Sequence, residues 1–291
     1  MQVELVSVET TDGVRLDGAL RRPAGGDKRL GLDLLICHHG VGGNFYNPYF
    51  FDDLGALLLD QGCAVVRVNS RGHDQAYRGP RGKLGAEYEI IDDCRQDWRA
   101  WLAFAESLGY RRIGLWGHSL GAVKTIYYQS IERDPRVVCA VASSPPRFSY
   151  AAYLASDEGA RFKADMDRAR HLVATGQPEA TIEVAVPIVS SFAARTYIDK
   201  YGPDSPYDIL ARAPGSTAPL LVTLGELEID GLAFRDLAER GPGLHAVSPQ
   251  VSYALVPGAD HSYATRVPAL WDAFRGWLSD IGVIPVAALT T

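Results

Sequence analysis

Residues 3–9 and 14–21 alternate apolar and polar side chains on either side of Thr11-Asp12-Gly13, and this period of two predicts an antiparallel hairpin. The pattern then changes. Leu32–Cys37 and Ala64–Val68 are short runs that are almost wholly apolar, as expected of strands covered on both faces. Between them, Tyr49–Asp60 shows helical spacing and stops before Gly62. Glu89–Leu108 reads as a long amphipathic helix ended by Gly109. The strand 112–116, a helix from Ala122 to Gln129 and the strand Val137–Ala142 continue the alternation. It breaks from about Pro145 to Pro214, where the chain turns aromatic, helical and proline-punctuated. It resumes with the strands Pro219–Leu224 and Val251–Val256 and a helix over Pro268–Asp280. Strand–helix alternation predicts an α/β fold with a mostly parallel central sheet flanked by helices. The interruption predicts a helical cap: residues 1–144 and 215–291 form the core, and 145–214 are inserted into it. The mildly apolar end, Ile281–Thr291, is too short to span a bilayer and is expected to pack on the surface.

Composition narrows the class. The chain has 291 residues, 47% of them hydrophobic, enough for a sizeable core. A net charge of −6 disfavours nucleic acid or an anionic membrane as a partner. The N-terminal stretch has neither a basic nor an apolar region of the secretory kind. The four cysteines, Cys37, Cys63, Cys94 and Cys139, have no CxxC spacing and read as buried thiols. A reduced, cytoplasmic setting is therefore expected.

The chemistry concentrates at Gly117-His118-Ser119-Leu120-Gly121, between a strand and a helix. A serine on so sharp a turn is pushed out of the fold, and the flanking glycines make room for the turn; this is the pattern of a nucleophile elbow. A serine hydroxyl needs a base, and the base needs an orienting group. His261 follows the strand Val251–Val256 on a loop that returns to the carboxyl edge of the sheet, and is the expected base. The acid is expected on Gly225-Glu226-Leu227-Glu228-Ile229-Asp230, after the preceding core strand. Glu228 is placed first, with Glu226 and Asp230 as competitors. Negative charge developing on a carbonyl oxygen needs donors. The backbone N–H of Leu120 is one, and that of Val41 in the loop His38–Asn44 is the other, with Gly42 as the alternative. That glycine-rich loop lacks the Lys-Ser/Thr of a P-loop and the GxGxxG of a dinucleotide site. His38, His39 and His118 lack zinc-site spacing. His39 and His118 are expected instead to brace the loop and the elbow. No metal or cofactor is called for. Asn69–Asp74 reads as a hydrated loop with an Arg71–Asp74 pair; with Arg78, Arg81 and Lys83 nearby, it would be basic enough to meet an anionic substrate.

Taken together, His39-Gly40, Arg71-Gly72-His73, Gly117–Gly121, the acid loop and Gly258-Ala259-Asp260-His261 resemble the α/β-hydrolase superfamily over nearly the whole chain. The stretch Val66–Asp74 is similar to bacterial and fungal members. Many relatives carry aspartate where Glu228 stands. The resemblance implies a Ser-His-acid centre working through an acyl-enzyme, with the cap as the part that varies between families. Serine at the elbow favours esters, thioesters, amides or certain C–C bonds; aspartate would imply dehalogenase or epoxide chemistry, and cysteine a dienelactone-type hydrolase. The expected function is a serine hydrolase acting on a small-molecule acyl substrate, and the cap aromatics suggest one with an apolar or aromatic part. An acyltransferase or thioesterase, a C–C bond hydrolase or lyase, and a binding protein without turnover are the alternatives.

Overall fold

The computed structural model of the chain describes residues 2–25, 29–47, 49–80 and 82–284. Eight strands form its central sheet: β1 (Glu4–Glu9), β2 (Arg15–Arg21), β3 (Leu34–His38), β4 (Ala64–Val68), β5 (Ile113–His118), β6 (Val137–Ser143), β7 (Leu220–Gly225) and β8 (Val251–Val256). Their order in space is β1-β2-β4-β3-β5-β6-β7-β8. β1 and β2 are the predicted hairpin, and β2 runs antiparallel to β4. From β4 to β8 every neighbouring pair is parallel.

The apolar runs do what their patterning requires. All five residues of β3 are buried, Leu34 and Ile36 in one core layer and Leu35 and Cys37 in the other. The first layer is closed by helix α2 (Cys94–Ser107), whose Trp98, Trp101, Leu102 and Ala105 recur at helical spacing. It is completed by α3 (Leu120–Ile131), buried from Leu120 to Gln129. The second layer is closed by α1 (Phe50–Asp60) and the helix Val267–Asp280, through Phe50, Leu54 and Leu58 and through Trp271, Phe274 and Trp277. All four cysteines are buried. Ile281, Val283 and Ile284 pack on the second layer; the rest of the apolar end, 285–291, lies outside the described residues.

Element boundaries differ from the sequence reading in instructive places. The helix expected from Glu89 starts as a single 3-10 turn at Ile91–Asp93, and Glu89 is a buried residue ahead of it. Residues 144–219, between β6 and β7, contain the helices Tyr150–Leu154, Gly159–Ala174 and Ala194–Tyr201. They also hold an unexpected two-stranded ribbon, Thr181–Val184 with Ser190–Ala193. Phe162, Phe192 and Tyr197 from this insertion sit in the same core layer as Trp98 and Ile126, so the insertion shares the core of the sheet.

β3 lies between β4 and β5, so the chain leaves it in one direction and later returns on its other side. In open α/β sheets the crevice at such a reversal, at the carboxyl ends of the strands, is where ligands bind. His38 pairs in register with Gly117, and Gly225 with Val256. The loops after β3, β5, β7 and β8 therefore leave one edge of the sheet at matched levels.

Candidate active site

Ser119 stands at φ 54°, ψ −122°, a backbone conformation that side-chain-bearing residues seldom adopt. Its N–H is held by the carbonyl of Ser143 at 2.9 Å, which ties the elbow to β6. The flanking glycines are steric necessities. A Cβ on Gly117 would meet the carbonyl oxygen of Gly121 at 2.1 Å, and one on Gly121 would meet that of His39 at 2.4 Å.

His261 and Glu228 meet: the imidazole Nδ1–H donates to Glu228 Oε1 at 2.5 Å. Glu228 is buried and accepts two further hydrogen bonds on Oε2, from the Gly225 N–H at 3.0 Å and from the Ser144 hydroxyl. Because Ser144 spends its proton on the carboxylate, the Tyr263 hydroxyl 2.8 Å away must donate to Ser144 Oγ. Sequence reasoning missed Ser144 and Tyr263, because nothing local marks a hydroxyl whose partner lies 84 or 119 residues away. The competing carboxylates do other things. Glu226 accepts the Gly258 N–H at 2.7 Å and so pins the loop that carries His261. Asp230 offers its backbone carbonyl to Arg235.

His118, expected to brace the elbow or the glycine-rich loop, instead ties the elbow to the loop that carries His261. Its Nε2 lies 2.6 Å from the carbonyl oxygen of His261, so the proton is on Nε2, and the buried Nδ1 has no partner among the described residues. Burial, and then the nearby His261 charge, push the His118 pKa down to about 3. His39 is fixed just as tightly. Its Nε2 accepts the Ser70 N–H at 3.1 Å, which leaves Nδ1–H to donate to the Gly40 carbonyl at 2.7 Å. Burial and the Lys124 charge lower its pKa to about 3 as well. Both rings are neutral hydrogen-bonding struts. The loop after β3 passes directly over the serine: a Cβ on Gly40 would stand 3.0 Å from Ser119 Cβ. Leu120 opens α3, so its N–H lies in the turn that has no intrahelical acceptor.

Ser119, Leu120, Val41 and His261 all line one cavity of about 340 Å³. Its other walls are almost entirely apolar, with Phe148, Pro187, Ile188 and Tyr201 from the insertion and Leu232 and Phe234 from the chain after β7. Gly42 is not on the lining; its position faces Ala86 and Gln75 instead. Most insertion aromatics, including Tyr153, Phe162, Phe192 and Tyr197, are core residues rather than cavity walls. Among the described residues no group of three or more His, Cys, Asp or Glu side chains could hold a metal ion, and no helix is long and apolar enough to cross a membrane.

The reading of Asn69–Asp74 needs correction. Asn69, Ser70 and Arg71 are buried. Arg71 does not pair with Asp74; it donates to Asp97 on α2 at 2.9 Å and to Asp12 in the hairpin turn at 2.9 Å. Asp74 instead meets His73, Asn44 and Tyr46. The arginine is a strut between three elements with its charge compensated, so it offers nothing to an anionic substrate. Arg81 lies outside the described residues.

The match to the family model described as alpha/beta hydrolase fold covers residues 33–182, more than half of the chain, and the chain belongs to that family. Its fold is similar to that of the alpha/beta hydrolase GrgF from Penicillium sp. sh18, with a TM-score of 0.71 at 16% identity over 96% of this chain and 99% of that one. Est1E from Butyrivibrio proteoclasticus, solved with ferulic acid bound, gives a TM-score of 0.64 at 16% identity over 94% and 98% of the two chains. The Pyrococcus furiosus esterase Pf2001 gives 0.61 at 20% identity over 96% and 91%. A search of curated proteins finds no match.

Proposed function

We propose that the protein is a serine hydrolase that cleaves a carboxylic ester or related acyl bond. The observation that carries the reading is the sharing of one apolar cavity by Ser119, on its strained elbow, and His261, whose far nitrogen is bonded to the buried Glu228. Ser119 Oγ attacks the acyl carbonyl while its proton passes to His261 Nε2. The carbonyl electrons move onto oxygen, which is received by the N–H groups of Leu120 and Val41. As the tetrahedral centre collapses, His261 gives the proton to the departing alkoxide and the acyl group stays on Ser119. Water then attacks with its proton going to His261, which returns it to Ser119 Oγ as the ester to serine breaks and the acid leaves. Glu228 keeps His261 in the tautomer with Nε2 free to accept and stabilises the imidazolium that forms. No cofactor enters the cycle.

The substrate is a small molecule with an apolar or aromatic acyl part, suited to walls such as Phe148, Tyr201 and Phe234. Residues 145–214 serve as the cap that closes over it. The buried cysteines suit a reducing, cytoplasmic setting. The test is hydrolysis of p-nitrophenyl esters of increasing acyl length beside Ser119→Ala. The expected result is turnover that peaks at one chain length and falls at least about 10³-fold in the variant. Turnover that survives Ser119→Ala would sink the proposal.

A further inference from the structure

Three charged side chains with no part in this chemistry are buried next to it. Glu89 precedes α2, Lys124 lies on α3 five residues after Ser119, and Lys200 belongs to the helix Ala194–Tyr201 of the insertion; each is at most 2% exposed. They form one unit. Lys200 Nζ donates to Glu89 Oε1 at 3.0 Å and to the Ala86 carbonyl at 3.1 Å, and Lys124 Nζ donates to Glu89 Oε2 at 2.5 Å. Burial alone would raise the Glu89 carboxyl, but the two ammonium groups outweigh it and hold the pKa at about 2. Glu89 also explains a glycine: a Cβ on Gly72 would sit 1.8 Å from Glu89 Oε2.

The unit reaches the reacting centre at both ends. On one side Lys200 lines the cavity beside Tyr201. On the other, Lys124 Nζ donates to Ser70 Oγ at 3.2 Å, the Ser70 N–H donates to His39, and His39 donates to the carbonyl of Gly40, the residue against Ser119 and before Val41. Buried ion clusters are seldom better for stability than apolar side chains of the same volume. In some proteins what they fix instead is geometry. The glycine-rich loop Gly40–Gly43 has little side chain with which to hold itself, and oxyanion donors lose most of their effect when misplaced by about an ångström. We propose that Lys200, Glu89 and Lys124 are positioning residues, a relay that sets the oxyanion loop from the wall of the substrate cavity through Ser70 and His39. The inference rests on the reading of Val41 as an oxyanion donor.

The experiment is Lys200→Met in the full chain, with active sites counted by a fluorophosphonate that labels Ser119. It is read on the best p-nitrophenyl ester and by affinity for an alkylboronic acid, which adds to Ser119 as a tetrahedral anion. The expected result is a kcat per active site lower by about tenfold, KM within about twofold, and boronate affinity weakened by the same factor as kcat. A purely structural role would lower the melting temperature and leave all three unchanged per folded site, and that result overturns the relay. Ser70→Ala removes a single hydroxyl and is expected to give the same split at smaller size, so it carries the test if Lys200→Met does not fold. In the double variant a relay predicts a loss no larger than that of Lys200→Met alone, whereas multiplying losses contradict it. A wild-type protein with no Ser119-dependent turnover would count against the hydrolase reading. Boronate affinity would still report on the relay.

Discussion

Glu228 and Glu89 are both buried, and each stands one hydrogen bond from a residue that lines the cavity, His261 and Lys200 respectively, yet their surroundings are opposite in kind. Glu228 accepts from a backbone N–H, a serine hydroxyl and an imidazole, donors that carry no permanent charge. Glu89 is clamped between two ammonium groups. The first arrangement leaves the carboxylate without an ammonium or guanidinium partner among the described residues. The second has its charge already matched, so it has nothing to lend to the chemistry and little freedom to move. One carboxylate sits beside an imidazole, and the other ties two ammonium groups together.

The largest effect that separates them is expected from Glu228→Gln. The amide can still accept from Gly225 and Ser144, so the melting temperature should change little. The preferred His261 tautomer is lost, however, and kcat should fall about 10³–10⁴-fold. Asp230→Asn, in the same loop but away from His261, should stay within about twofold of wild type. The reverse pattern would move the acid to Asp230. Glu89→Gln should act on the other axis: it strands two buried ammonium groups, and denaturant unfolding should show a loss of about 3–5 kcal/mol. Replacing Glu89, Lys124 and Lys200 together by methionine should recover most of that stability without restoring the rate per site. Unchanged unfolding of Glu89→Gln would collapse the contrast.

A smaller effect concerns pH. His118 has a folded-state pKa of about 3, below its unfolded value near 6.5. Between those values the unfolded chain binds the extra proton, so stability declines as pH falls below about 6.5 and the decline ends near 3. His118→Gln should therefore flatten the plot of unfolding free energy against pH by roughly 1 kcal/mol per pH unit between pH 6 and 4.5. Parallel plots for the two proteins would contradict the assignment of a neutral His118.

What the sequence disclosed, and what it concealed, follows the range of the interactions. The elbow is legible because Gly117 and Gly121 are required by contacts within the turn and with the adjacent strand. Glu228 is legible by its count from Gly225, since a one-turn 3-10 segment carries its carboxylate back to the Gly225 N–H. Arg71 was misread because its acids, Asp12 and Asp97, lie 59 and 26 residues away, whereas Asp74 was merely near in sequence. The Lys200–Glu89–Lys124 unit drew no notice because a charge in a periodic pattern ordinarily marks a solvated face. One signal was present. Lys124 interrupts a helix that is otherwise apolar or small for more than a turn on either side, and a lone cation there needs a buried partner.

The merging of the insertion with the main core has a consequence for how such a protein could be recombined. A cap with its own hydrophobic centre could be cut at its two connections and exchanged as a cassette. Here Phe162, Phe192 and Tyr197 share a layer with Trp98 and Ile126, and Lys200 shares its counter-ion with Lys124. A crossover at residues 144 and 219 would bring in a foreign helix while leaving behind a carboxylate chosen for the old one. Chimeras should therefore be built with position 89 and position 124 travelling with the insertion. Changes of substrate preference are better sought at the tip around Pro187 and Ile188, which borders the cavity and where Ile188 remains partly open to solvent.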